Sequence, residues 1–134
     1  MAMKWHGEEA MRRIRTEAGN RVDMAARFVR DRAKELVSRD QPVRIYAKGA
    51  GRSRKGLDPS KPGEPPKKVT GHLRMNIKKE PTPINMVTRV GTNVPYGKHL
   101  ELGTRKMAAR PWLWAAIVRN AVELQRRFGI GVKL

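Results

Sequence analysis

The sequence predicts an α+β fold: a long N-terminal helix, a small antiparallel sheet with a long basic loop, and a C-terminal helix packed on the sheet. Three observations lead there. Apolar residues recur in steps of three and four over residues 7–39. Short β-prone runs bounded by Pro and Gly fill the middle of the chain. A second helical stripe runs between Pro111 and Gly129. With 134 residues and 39% of them hydrophobic, the chain is read as one domain over 1–134.

The first helix has its stripe at Met11, Ile14, Ala18, Val22, Ala25, Val29 and Leu36. Arginines fill its other faces, interleaved with Glu17, Asp23, Asp31 and Glu35. Gly19-Asn20 is a weak point, costing about 1 kcal/mol against alanine, and marks a place for a kink. Pro42 is expected to end the helix. A helix of about 30 residues is about 45 Å long. One small domain does not cover that length, so part of the stripe is expected to pack on another subunit.

Val43–Ala47 alternates and reads as a strand. Residues 48–68 follow, with four glycines, four prolines and seven Lys/Arg in 21 residues. This composition predicts a long exposed loop. It is either a solvated linker or an arm that touches a neighbour or a polyanion. Residues 70–77 read as a short helix capped by Thr70, with Leu73 and Ile77 on one face. Residues 77–80 and 84–90 read as two strands separated by Pro81-Thr82-Pro83. In the second, Ile84, Met86, Thr88 and Val90 share a side, and Gly91 ends it.

The stretch VGTNVPYGKHLELGT, residues 90–104, gathers Tyr96, His99 and Glu101 between two Gly-Thr pairs. Helical spacing over Pro95–Leu102, with Gly103 past its end, turns Tyr96 and Leu100 inward. His99 and Glu101 then lie two apart and do not face each other, so an acid–base pair fails there. No Ser or Cys in the stretch offers a nucleophile, and neither Gly-Thr pair has phosphate-loop spacing. Glu101 is expected as a lone surface charge or as the partner of an arginine, in its own chain or the next.

In the C-terminal helix, Leu113, Ile117, Ala121, Leu124 and Phe128 form one stripe, with Pro111 in the first turn and Gly129 as C-cap. Trp112, Trp114, Val118 and Val122 spread apolar surface beyond that stripe. With Ile130 and Val132 of the β-prone tail, they are the expected subunit interface. Arg126 and Arg127 suit the negative end of the helix dipole.

The formal charge is +18, unevenly spread. Residues 1–40 carry a net +3, residues 41–80 a net +8 and residues 81–134 a net +7. Such a field attracts polyanions without choosing among them. There is no cysteine, and His6, His72 and His99 lack the spacing of a metal site. No cofactor and no catalysis are expected. No apolar run reaches the roughly 18 residues of a membrane span. The opening MAMKWHGEEAMRRIR has no apolar stretch after its first charge, so neither a secretory leader nor a membrane partner is expected. Synthesis in a cytoplasm is the expectation.

The order of motifs resembles the gene-product-ten-like neck, or tail-component, family of long-tailed bacteriophages. The resemblance rests on Pro62, Gly63, Pro65 and Pro66, then Thr70, Gly71, Leu73 and Arg74, then Val90, Gly91 and Thr92. It continues through Tyr96, Glu101, Gly103 and Thr104 to Arg110, Pro111, Trp112 and Leu113. It covers about residues 59–118. Gly97 stands where alanine is usual, Trp112 where phenylalanine is, and Ala115 where a second proline is common. The resemblance implies a structural virion protein at the neck, made in the bacterial cytoplasm. It implies an oligomeric ring, sixfold, stacked between head-closure or adaptor proteins and tail-terminator or tail-tube proteins around the DNA channel. Lys48, Arg52, Arg54, Lys55, Lys61, Lys67 and Lys68 are then expected to face genomic DNA or a neighbouring ring. The alternative is a free basic nucleic-acid-binding protein, although no helix-turn-helix, zinc-finger or RNA-binding signature is present.

Overall fold

The computed structural model describes residues 6–39, 43–45, 55–57, 60–68, 70–82 and 86–132, with the backbone alone at 43–45, 55–57 and 82. The predicted α+β architecture is there. Helix α1 (Gly7–Leu36) runs unbroken past Gly19-Asn20. It stops three residues before the predicted end. The Ser38 hydroxyl donates to the Lys34 carbonyl and competes with continued helical bonding. The expected stop at Pro42 lies outside the described residues.

Strands β1 (Val43–Ile45) and β2 (Lys55–Leu57) pair antiparallel, so part of the predicted loop is a hairpin arm. Residues 60–68 are not a loose loop either. Ser60, Pro65 and Pro66 are buried. Gly63 N–H donates to the Ala109 carbonyl at 2.9 Å and Lys68 N–H to the Arg39 carbonyl at 2.8 Å. Proline has no N–H to leave unsatisfied, so a Pro-Pro pair enters a core at low cost.

Helix α2 (His72–Met75) follows, with the Thr70 hydroxyl accepting from His72 N–H at 3.3 Å. Strands β3 (Ile77–Thr82) and β4 (Val87–Thr92) form the second antiparallel pair. Strand β3 runs on to Thr82, past the predicted end at 80, and β4 covers Val87–Thr92 where 84–90 was predicted. Pro81 lies inside β3 opposite Thr88, and Gly91 lies inside β4 opposite Lys78. A two-stranded sheet has only edge strands, where proline is tolerated. Ile84 lies outside the described residues, and Met86 precedes the strand.

Helix α3 (Pro95–Leu102) has its predicted bounds, with Gly103 as C-cap. The predicted single C-terminal helix is two: α4 (Leu113–Arg119) and α5 (Ala121–Phe128). Asn120 makes the break. Its side-chain amide donates to the Ala116 carbonyl at 2.8 Å while its backbone leaves helical geometry. Pro111 precedes α4 rather than entering its first turn. Gly129 caps α5 as predicted.

The core joins Ala33 of α1 and Val37 just past its end with Leu73, Ile77, Val94, Trp112 and Ala116, the last on α4. Ala33 and Ala116 are both fully buried. Their small side chains let α1 and α4 approach closely. Phe28 of α1 packs at a tilt against Phe128 of α5, ring centroids 5.9 Å apart. The second half of α1 is thus the spine on which the β3–β4 sheet, α2, α4 and α5 pack.

Candidate functional site

The chemistry-rich stretch builds a locked corner between α3 and α4. Glu101 does not stand alone, and among the described residues it pairs no arginine. One of its oxygens accepts Trp112 N–H at 2.8 Å and Leu113 N–H at 3.0 Å. The other accepts Trp114 N–H at 2.8 Å. A carboxylate at a helix N-terminus meets the otherwise unpaired amides and the positive end of the dipole. Three residues of helical spacing cannot reveal this, because the partners are backbone groups eleven to thirteen residues away.

Trp112 is the second lock. It was expected at a subunit interface, and that is corrected: it is 3% exposed and sits in its own chain's core. Its indole N–H donates to the Gly97 carbonyl at 3.1 Å. Gly97 must be small here, because a Cβ would stand 2.5 Å from Cγ2 of Thr92. Gly103 turns the chain with φ 75°, and a Cβ there would meet backbone atoms at 2.8 and 2.9 Å. Arg110 closes the corner. Its N–H donates to the Leu100 carbonyl at 2.7 Å and its Nε to the buried Ser60 carbonyl at 3.0 Å.

Tyr96 does not point inward. It is 43% exposed, its ring 6.4 Å from that of His72. Leu100 packs against the core as expected. His99 is exposed, and both Glu101 oxygens are taken by amides. Among the described residues no three His, Asp or Glu side chains converge as a metal site would require. No helix among them is long and apolar enough to cross a membrane.

Several apolar side chains are left exposed, Met24, Met75, Val87 and Leu102 among them, and two further groups bear on assembly. Met11 and Ile14 lie on the first half of α1, which projects beyond the packed spine, and Ile14 is 60% exposed. Trp114, Val118 and Val122 lie on the outer side of α4 and α5, Trp114 49% and Val122 81% exposed. Ile130 and Val132 are half-buried, and residues 129–132 form no strand within the chain.

The charges divide in the same way. Helix α1 carries eight Lys/Arg against six Asp/Glu, and the rest of the chain carries 22 against six. On α1, Arg13, Arg21, Arg27, Arg30 and Arg32 each pair with a carboxylate of the same helix. Beyond it, Arg74, Lys78, Arg89, Lys98, Arg105 and Arg119 make no ion pair among the described residues. Asp23 of α1 binds Lys79 of β3. The Lys79 hydrogen bond, aided by Arg27, holds the Asp23 carboxyl below the ordinary carboxylate range. Of the basic arm residues, Lys48, Arg52 and Arg54 lie outside the described residues, and of Lys55 the backbone alone is described. Lys61 is exposed, and Lys67 and Lys68 are half-buried on the wall of a cleft.

The chain matches no family model, no curated protein and no solved structure.

Proposed function

We propose that the chain is a structural subunit of a phage head–tail connector, assembling into a ring of about six copies that joins the DNA-filled head to the tail. One observation carries the reading. Each subunit exposes two different apolar surfaces, the front half of α1 and the Trp114–Val122 face. A ring needs two unlike patches per subunit that meet head to tail, whereas a symmetric dimer needs one self-complementary patch. The motif order supports the same reading, because the residues that carry the resemblance include those that lock the corner: Glu101, Gly103, Arg110 and Trp112. In this reading the polar stretch is scaffold. The partners are neighbouring copies, the head-closure and tail-terminator rings, and the DNA that passes through.

The unpaired cations suit sliding contact with DNA, since phosphate contacts hold a duplex without reading its sequence. Their excess also supports the second reading, a free nucleic-acid-binding protein. Electron microscopy of the purified protein at high salt separates the two. Rings with a central opening are expected. Separate compact particles, with tight duplex binding at physiological salt, would replace the connector reading with the second one.

A further inference from the structure

A cleft of about 370 Å³ opens beside the locked corner. Its floor is apolar: Val37, Pro66 and Leu73, all buried, with Leu100. Its rim carries the exposed Arg74 and the facing rings of His72 and Tyr96. Lys67, Lys68 and Arg110 line it as well, and none of the described lining residues is acidic. An apolar floor under a cationic, aromatic rim fits a bulky apolar side chain with carboxylates beside it.

We propose that this cleft takes the first turn of α1 from a second copy of the chain, Glu8 with the Trp5 that precedes it. The inference rests on the ring reading and adds a polar contact beside that of the two apolar surfaces. Charge complementarity selects the occupant. Among the described acids, Glu9, Glu17, Asp23, Asp31, Glu35 and Glu123 are in ion pairs and Glu101 caps α4. Glu64, Glu80 and Glu8 make no ion pair among the described residues; Glu64 accepts from Lys61 N–H and Glu80 lies within the β3–β4 sheet, so of the three only Glu8 sits at the end of a helix. It is exposed, has no ion pair among the described residues, and sits at the tip of the projecting helix beside the exposed Met11. Trp5, three residues upstream and outside the described residues, supplies the aromatic side chain. The cleft lies by Val37, past the C-terminal end of α1, so tip-to-cleft contact runs head to tail and propagates around a ring.

The absence of cysteine makes the test clean. Full-length Glu8→Cys protein is mixed with Arg74→Cys protein and treated with a short bismaleimide. A mixed dimer is expected, about tenfold above the yield with Arg89→Cys, an exposed position on β4 that does not line the cleft. Glu8→Lys and Arg74→Glu should each weaken self-association about tenfold, because like charges then meet at the contact. Both changes in one chain should restore it to within about threefold. A ring-sized mass without the Glu8–Arg74 product, or without rescue by the double change, overturns this contact and leaves the ring. A chain that stays monomeric overturns both.

Discussion

The front half of α1 and the corner around Glu101 are opposite solutions to the same composition. Both are polar and rich in charge. On α1 the charges answer one another along the helix surface, and the apolar residues Met11 and Ile14 stay in solvent. At the corner the polar groups are spent on backbone: Glu101 on three amides, Trp112 on a carbonyl, Arg110 on another. The first region is finished electrostatically and unfinished hydrophobically. The second is closed at its polar groups and at Trp112 and Leu100, with Leu102 and Trp114 still exposed. The difference teaches where the chain still needs a partner and where it only needs to be rigid.

The comparison predicts unequal responses to substitution. The largest falls at the corner. Glu101→Ala strands three helix amides and should cost about 3 kcal/mol in urea unfolding. A loss under 1 kcal/mol would mean that water serves those amides as well as the carboxylate does. Gly97→Ala should cost about 1–2 kcal/mol by pushing Cβ into Thr92. Thr92→Ser removes the offending methyl, so the double variant should recover most of that loss; if it does not, the methyl is not the obstacle.

Between the two regions stands the Asp23–Lys79 pair, which ties α1 to β3. The folded Asp23 pKa is depressed below 3.8. Its contribution is therefore present above that value and lost as pH falls through the depressed folded value. Asp23→Asn should lower stability at pH 7 and shrink the drop in stability between neutral and acid pH. An unchanged acid profile would assign that drop to other carboxylates. The smallest effect on stability is expected on the projecting helix. Ile14→Ser should change unfolding by less than about 0.5 kcal/mol while weakening self-association. A large loss of monomer stability would show that this residue is covered by its own chain.

Much of the fold could be read from residue spacing. The α1 stripe, the bounds of α3 and the Gly129 cap follow from period and punctuation, which are local. What was missed is long-range or depends on one side chain. Nothing near Asn120 announces a break, because Asn is an ordinary helix residue until its amide captures the Ala116 carbonyl. Trp112 looks like interface from sequence, since a wide apolar helix can turn any part of its girth outward; the Gly97 carbonyl decides which part turns in. Tyr96 was placed inward by helical phase alone, and the phase is right for Leu100 but not for Tyr96. Of the candidate contact residues, Trp114, Val118 and Val122 do lie exposed on one side of α4 and α5. The basic arm is legible only as composition.

The central claim is a head-to-tail assembly through two unlike surfaces. It is tested most directly by light scattering at high salt, where charge artefacts are screened. Wild-type protein should have the mass of about six copies of the 15.2 kDa chain. Met11→Ser/Ile14→Ser and Trp114→Ser/Val122→Ser variants should each lose the six-copy mass, and mixing them should give a one-to-one complex tighter than either variant's self-association, because one intact apolar interface remains between them. A wild-type chain that is monomeric or a plain dimer, or two variants that do not combine, would contradict the account.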